Sequence, residues 1–203
     1  MSATPRWISE PAPQPTDQRV VVNGVSWGGY CLMRELLDSP GTRLAYLEGA
    51  LEIMSPSPLH EFLKTQIARL LEVFSLERAV PLIGYGSTTF RREARERGLE
   101  PDECYCVGRD LGDAPDIAIE VVLTSGGLDK LAIYAGLGVR EVWFWRNDRF
   151  EIHLLEDGSY LQVEQSRLVP SLDIVLLADF VRRLDQYSAA LAFRDHLRGQ
   201  PRS

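Results

Sequence analysis

The most informative pattern of hydrophobic and polar positions lies between residues 114 and 145, where it predicts a buried strand, an apolar helix and a second buried strand. Successive side chains of a strand point to opposite faces. One face of the first strand is wholly aliphatic, with Ile117, Ile119, Val121 and Leu123. The other face carries Asp116 and Glu120. Because a buried charge is costly unless it is paired or binds a metal, these acids are candidates for a functional site.

The helix after this strand is almost without charge, since the charged residues from position 128 to 139 are Asp129 and Lys130. Apolar residues recur at helical spacing on two stripes, so we expect the helix to be covered on most sides. Lys130 falls in the first turn, where the helix dipole disfavours a cation. Two interpretations fit this lysine. Either Glu120 or a substrate phosphate compensates for its charge, or the lysine buries its stem and extends its ammonium into water.

Glu120 needs a partner from another element. Along one strand, Asp116 and Glu120 would lie ~13 Å apart, which is too far for them to share a metal ion. Residues 101–107 predict a short strand, and its Asp102 would approach Glu120 if the two strands were neighbours. Residues 141–146 predict the strand that follows the helix. A strand–helix–strand unit of this length favours a parallel pair with a right-handed crossover.

Two carboxylates and a lysine are the groups that a hard cation and an attacked phosphate require. Oxygen ligands suit Mg²⁺ or Mn²⁺. Such an ion stabilises charge on the phosphate and lowers the pKa of a bound water. The lysine stabilises the transition state or helps to position the attacking water. Asp102, Glu120 and Lys130 therefore predict a metal-dependent hydrolytic site.

The start of the chain predicts a flexible arm followed by short elements. Four prolines within residues 1–18 favour an extended arm, and residues 19–203 are expected to form a single domain. Residues 27–37 predict a helix. Residues 43–55 predict a hairpin that turns at Glu48 and the glycine after it.

A second helix is predicted to start at residue 57, because Ser57 suits the N-cap and Pro58 suits the first helical position. Its first turn contains His60. A neutral imidazole at this place could orient a water, a phosphate or a carboxylate. Equally, the histidine could do no more than help to cap the helix. His60 is therefore a fourth candidate catalytic residue.

The remaining segments predict surface elements. Residues 91–98, RREARERG, hold four arginines that could grip phosphates, although the acids among them favour a solvated loop. Residues 150–164 predict a hairpin, and residues 178–197 predict one closing helix.

Composition narrows the function classes. A chain of 203 residues with ordinary composition is expected to be a globular protein with a real core. The formal charge of −7 and the isoelectric point near 5.1 give no support to general affinity for nucleic acid, although a local basic patch is compatible with them. The sequence contains no membrane-span or signal-peptide pattern, so we expect no membrane association. Three cysteines without zinc-type spacing favour a reducing cytoplasm.

Four segments taken together resemble the Uma-type restriction-endonuclease family, a branch of the PD-(D/E)XK nuclease superfamily. They are LAYLEGALEIMSPSPLHE, PDECYCV, PDIAIEVV and LDKLAIYAGLGVREVWFW. The resemblance covers roughly residues 25–180. It implies a restriction-endonuclease-like α/β fold, with a mixed β-sheet flanked by helices.

The resemblance also implies site residues. Asp102 matches the motif aspartate, and Glu120 matches the acid that follows it. The superfamily usually has a lysine two residues after that acid, where this chain has Val122. The Uma-type family is similar to other branches in which the lysine has moved to the next helix, which implies Lys130.

Two further residues fall on the family pattern. His60 matches the histidine that follows the MSP segment. Asp116 competes with Asp102 for the aspartate role, because it belongs to a Pro-Asp pair of its own. Its predicted distance from Glu120 argues against a shared metal, so we assign Asp116 a structural role at the entrance of the strand.

Two classes of function follow from these residues. The first is a Mg²⁺-dependent DNA endonuclease in which Asp102 and Glu120 bind the metal and Lys130 stabilises the pentacovalent phosphate. A homodimer is implied, since cutting both strands of a duplex is simplest with two sites. The second class is a non-catalytic descendant of the fold that binds DNA or protein and oligomerises. The acidic composition keeps this alternative open.

Overall fold

The computed structural model describes residues 16–37, 39 and 41–199, and of Ala94 the backbone alone. These residues form eleven strands and five α-helices. The strands are β1 (Gln18–Asn23), β2 (Arg43–Leu47), β3 (Ala50–Ser55), β4 (Leu82–Gly84), β5 (Phe90–Arg92), β6 (Arg97–Leu99), β7 (Glu103–Val107), β8 (Ile117–Val121), β9 (Glu141–Arg146), β10 (Arg149–Glu156) and β11 (Ser159–Val163). The helices are α1 (Trp27–Leu36), α2 (Pro58–Arg78), α3 (Lys130–Leu137), α4 (Ile174–Val181) and α5 (Gln186–Arg198). None of these described helices has both the length and the hydropathy needed to cross a bilayer.

The strands form two sheets. The larger sheet has the order β11-β10-β9-β8-β7-β4, and the smaller sheet has the order β1-β3-β2-β6-β5. In the larger sheet, β8 and β9 run parallel with Ile119 opposite Trp143, and α3 connects them. The other strand pairs of both sheets are antiparallel. The expected α/β fold, with a mixed sheet and a parallel pair around a helix, is confirmed.

Strand β8 lies inside the larger sheet, and all five of its residues are buried. Ile117 and Ile119 belong to a core cluster that includes apolar residues of α2. Ala118 belongs to a second cluster, on the opposite face, that includes Ile133 of α3. Glu120 shares this second face and is covered by the helix. Because the strand has no wet face, the carboxylate needs partners within the protein.

Helix α3 starts where its first side chain can reach β8. The carboxylate of Asp129 caps the helix by accepting a hydrogen bond from the backbone N–H of Ala132 at 3.1 Å. Gly138 ends it with a φ of 83°, a left-handed conformation that glycine adopts at little steric cost. Lys130 is therefore the first residue of the helix, and its place in the first turn is confirmed.

The solvated loop predicted for residues 91–98 is wrong. These residues contribute to β5 and β6, which pair with each other and extend the smaller sheet, and Gly98 of β6 lies opposite Tyr46 of β2. Arg97 turns towards α3, where its guanidinium donates to the carbonyl of Ala132 at 2.7 Å. Charge content favoured a loop, but strand pairing uses only the backbone and leaves the other arginines free to face water.

The single closing helix predicted for residues 178–197 is also wrong, because two helices occupy this part of the chain. The carboxylate of Asp185 accepts hydrogen bonds from the backbone N–H groups of Tyr187 at 3.0 Å and Ser188 at 3.1 Å, and these start α5. An apolar stripe through Leu184 made the helix look continuous. That side chain is 84% exposed, so it belongs to the connection rather than to a packed face.

Both predicted hairpins are confirmed, as β2–β3 and as β10–β11. Residues 1–15 of the predicted arm, which spans residues 1–18, lie outside the described residues. Of its last residues, Asp17 is buried and Gln18 already begins β1, opposite Ser55 of β3. The end of the predicted arm is therefore part of the fold, because its last residue pairs with β3.

Candidate active site

Glu120 is fully buried and has two partners on α3. Its Oε2 forms an ion pair with the ammonium of Lys130, and its Oε1 accepts a hydrogen bond from the hydroxyl of Tyr134 at 2.5 Å. Residues four positions apart share one face of a helix, so α3 presents both donors to the same carboxylate. The side chain of Lys130 is 15% exposed. The interpretation in which Glu120 compensates for Lys130 therefore holds, and the lysine extended into water is wrong.

Asp102 reaches the same place from the neighbouring strand. It directly precedes β7, which runs antiparallel to β8, with the residue after Asp102 opposite Ile119. Its Oδ2 accepts a hydrogen bond at 2.7 Å from the backbone N–H of Val121, the residue that follows Glu120. Asp102 is 2% exposed. The structure thus brings Asp102, Glu120 and Lys130 together.

His60 lies in the first turn of α2 and is fully buried. Its Nε2 lies 2.9 Å from Oδ1 of Asp102, and its Nδ1 lies 3.0 Å from Oδ2 of Asp17. The other oxygen of Asp17 accepts a hydrogen bond from the backbone N–H of Ser57 at 2.9 Å. Of the alternatives left open for His60, the structure favours the one in which it orients a carboxylate.

The charges in this cluster shift the pKa values of its members. Burial would lower the pKa of His60, but the two flanking aspartates raise it to about 9. Burial would raise the pKa of Asp102, but the contact with His60 and its charge lower it to about 2. Burial raises the pKa of Glu120 to about 7, because Lys130 does not fully offset the lost water and Asp102 opposes ionisation. Burial would lower the pKa of Lys130, but Glu120 and Asp102 raise it, so the amine remains protonated.

Asp116 lies apart from this cluster. Its Oδ2 accepts a hydrogen bond from the backbone N–H of Val107 at 2.9 Å, and its Oδ1 accepts one from Arg109 at 2.9 Å. Burial would raise the pKa of Asp116, but the hydrogen bond from Arg109 and those around it lower it. These contacts hold the connection between β7 and β8 in place, in agreement with the structural role expected for Asp116.

Sequence reasoning missed two members of the cluster. Tyr134 had a signal, because it lies on the same helical stripe as Lys130. Asp17 had none, since it follows a proline-rich stretch and its partner His60 is 43 residues away along the chain. Only the pairing of β1 with β3 brings Asp17 beside the start of α2.

A cavity of about 380 Å³ opens beside Lys130. Its wall includes Arg19 and Arg146 as well as the buried acid Glu52. Glu52 lies 3.4 Å from the Nε of Arg19 and also accepts a hydrogen bond from the backbone N–H of Leu128 at 2.9 Å. The cavity therefore gives a route from solvent to Lys130 along a wall on which Arg19 pairs with Glu52 and Arg146 pairs with Glu151.

Asp102 and Glu120 are the residues of this cluster that could hold a divalent cation. A carboxylate has about four lone-pair sites. Glu120 accepts from Lys130 and Tyr134, and Asp102 accepts from Val121 and lies 2.9 Å from His60, so both carboxylates keep lone pairs for a cation. Within residues 16–37, 39 and 41–199, no three His, Cys, Asp or Glu side chains form a metal cage. Mg²⁺ suits such a site, because it is usually held by one or two carboxylates and completes its shell with water and phosphate oxygens.

The balance of charge also fits a cation. When ionised, Asp17, Asp102 and Glu120 contribute three negative charges, while His60 and Lys130 contribute two positive charges. One buried negative charge is left over. Because uncompensated buried charge is unfavourable, a bound cation would stabilise this arrangement and favour the ionised form of Glu120.

The mixed sheet flanked by helices is consistent with a restriction-endonuclease-like fold of the PD-(D/E)XK type. The chain belongs to the Uma2 family, whose description is "Putative restriction endonuclease" and whose model matches residues 30–185. The match spans most of the chain, confirms the resemblance and supports a nuclease-type function. A comparison with curated proteins finds no match. Asp17 lies before the matched region.

His60 makes the stability of the protein depend on pH in a defined direction. Its folded pKa of about 9 lies above the ordinary value of 6.5, so its stabilising contribution is complete below pH 6.5 and is lost as the pH rises through 9. We expect this group to lower the free energy of unfolding by on the order of 3 kcal/mol over that range. Urea denaturation at a series of pH values measures the effect.

The variant His60→Gln should lose this fall in stability between neutral and alkaline pH, whereas the matched variant His153→Gln should retain it. Curves of stability against pH that have the same slope in the wild type and in His60→Gln would contradict the assignment.

Proposed function

We propose that the protein is a Mg²⁺-dependent DNA endonuclease that hydrolyses phosphodiester bonds. The observation that carries this proposal is the convergence of Asp102, Glu120 and Lys130 in one buried cluster. The family description supports hydrolysis of a nucleic acid backbone. Two carboxylates for a hard cation and one fixed ammonium are the groups that phosphoryl chemistry needs.

Each residue has a distinct task in this proposal. Asp102 and Glu120 hold Mg²⁺, which when bound lowers the pKa of a water and stabilises charge on the phosphate. Lys130 keeps its proton, because the neighbouring acids raise its pKa. It therefore donates hydrogen bonds to the charged transition state rather than acting as a general base. Tyr134 holds Glu120 through the hydroxyl hydrogen bond of 2.5 Å.

A phosphate of the substrate would approach Lys130 through the cavity beside it. Arg19 and Arg146 line this cavity and pair there with Glu52 and Glu151, and the side chain of Arg146 is 43% exposed. The chain as a whole carries a formal charge of −7. DNA would therefore be repelled at long range, so binding depends on direct contacts between its phosphates and the few cations of this cavity.

The sharpest test compares the two lysines of the chain. Both are paired with a glutamate and similarly buried, since the side chain of Lys130 is 15% exposed and that of Lys64 is 14% exposed. We expect Lys130→Met to slow Mg²⁺-dependent plasmid nicking by about 10²- to 10³-fold, the usual cost of losing one preorganised donor. Lys64→Met should stay within about twofold of the wild type.

The same nicking assay also tests the metal requirement, either by removing the metal or by changing one of its proposed ligands. EDTA and Glu120→Gln should each abolish nicking, and calorimetry should show that Glu120→Gln no longer binds Mg²⁺. Nicking that survives EDTA, or equal rates for the two lysine variants, would contradict the proposed site. Mg²⁺ binding without cleavage of any duplex would instead favour the non-catalytic, DNA- or protein-binding alternative.

We further propose that the active form is a homodimer, because cutting both strands of a duplex is simplest with two sites. Light scattering on the protein as it elutes from a sizing column should give twice the chain mass of 22.9 kDa. A monomer that makes double-strand cuts at the same concentration would contradict this.

A further inference from the structure

Three ionisable side chains stand in a buried row beside the proposed metal site. Asp17, His60 and Asp102 have side chains that are 0%, 0% and 2% exposed. The two ring nitrogens of His60 lie 3.0 Å from Asp17 and 2.9 Å from Asp102. The imidazole therefore lies between the two carboxylates, with one ring nitrogen facing each of them.

We propose that Asp17 is a positioning residue of the active site, which fixes the orientation of Asp102 through His60. The inference rests on the proposed function, because the orientation matters for holding a metal. Asp17 does not touch Asp102 itself. It holds one end of the imidazole, and the other end faces Oδ1 of Asp102.

The effect on Asp102 follows from the contacts of its two oxygens. Oδ1 faces His60, and Oδ2 accepts from the backbone N–H of Val121 at 2.7 Å. The hydrogen bond from Val121 and the close approach of His60 restrain this carboxylate from two sides. Partners of this kind behind a metal ligand orient it, and losing one typically costs about 10- to 100-fold in metal affinity or activity.

The segment that supplies Asp17 lies outside the region that matches the family model, which begins at residue 30. It is attached by β1, where Gln18 lies opposite Ser55 of β3. This register brings Asp17 to Ser57, whose backbone N–H it binds at 2.9 Å, and to His60 three residues further on. The strand before the matched region therefore completes the site.

A simpler role for Asp17 is also testable. Its hydrogen bond with Ser57 anchors β1 to the start of α2, and a purely structural anchor would affect only stability. The experiment therefore needs a control that loses a similar anchor elsewhere. Asp173 provides it, because its carboxylate caps α4 by accepting from the backbone N–H groups of Val175 at 3.0 Å and Leu176 at 2.9 Å.

Calorimetric titration of the full chain with Mg²⁺ separates the two roles. We expect Asp17→Asn to bind Mg²⁺ about 10- to 100-fold more weakly than the wild type. Asp173→Ala should lose stability in urea, because it removes the cap of α4, but bind Mg²⁺ with unchanged affinity. If Asp17→Asn binds Mg²⁺ as tightly as the wild type, or more tightly, the positioning role is overturned.

A measurement without metal keeps the inference independent of nuclease activity. The chain has three histidines, so the ring signals of His60 can be assigned in ¹⁵N-labelled protein by comparison with His153→Gln and His196→Gln. We expect the ring signals of His60 to shift in Asp17→Asn, because the imidazole loses its charged partner, and to stay unchanged in Asp173→Ala. Ring signals of His60 that are the same in Asp17→Asn and in the wild type would overturn the inference.

The two failures can be told apart. If the wild type does not bind Mg²⁺, the proposed function fails, and the ring signals of His60 alone decide the role of Asp17. In that case, a change of these signals in Asp17→Asn but not in Asp173→Ala supports positioning, and unchanged signals in both contradict it.

Discussion

The carboxylate of Glu120 is buried and has no contact with solvent. The positions of the residues around it follow from the need to stabilise its charge. The strand that carries it is packed on both faces, so solvent cannot stabilise the charge. Lys130, Tyr134 and the proposed cation replace the water. Buried charges are costly unless they are paired and hydrogen-bonded, and breaking such a group usually destabilises a protein more than a surface pair would. Because burying this carboxylate is costly, we expect it to have a function in the protein.

The α/β architecture supplies the partners of Glu120 from the helix that directly follows its strand. A parallel pair of strands requires a crossover, and here the crossover is α3, which returns over the face that carries Glu120. The cap at Asp129 sets the first residue of the helix, and this places Lys130 directly over the carboxylate. The helix dipole disfavours a cation in this turn. The ion pair with Glu120 compensates for that cost, so the position of the lysine is explained by its partner.

Much of the site could be predicted, because its residues lie within short segments whose sequence patterns indicate a strand or a helix. Alternation placed Glu120 on a covered face, helical spacing placed Lys130 in a first turn, and a short strand next to them offered Asp102. The contact of Asp17 with His60 could not be predicted, because it depends on the pairing of β1 with β3 and joins residues 43 positions apart. The break between α4 and α5 was missed for a different reason. An apolar stripe continued across it, while a capping aspartate decided the structure locally.

The central claim is that Asp102 and Glu120 hold one divalent cation beside Lys130. Crystals of the protein soaked in Mn²⁺ and measured near the manganese absorption edge test it most directly, because the anomalous signal locates the ion without assumptions about activity. The account predicts one strong peak within coordination distance of a carboxylate oxygen from each of the two acids. A peak held by other residues, or crystals that bind no Mn²⁺ at saturating concentration, would contradict it.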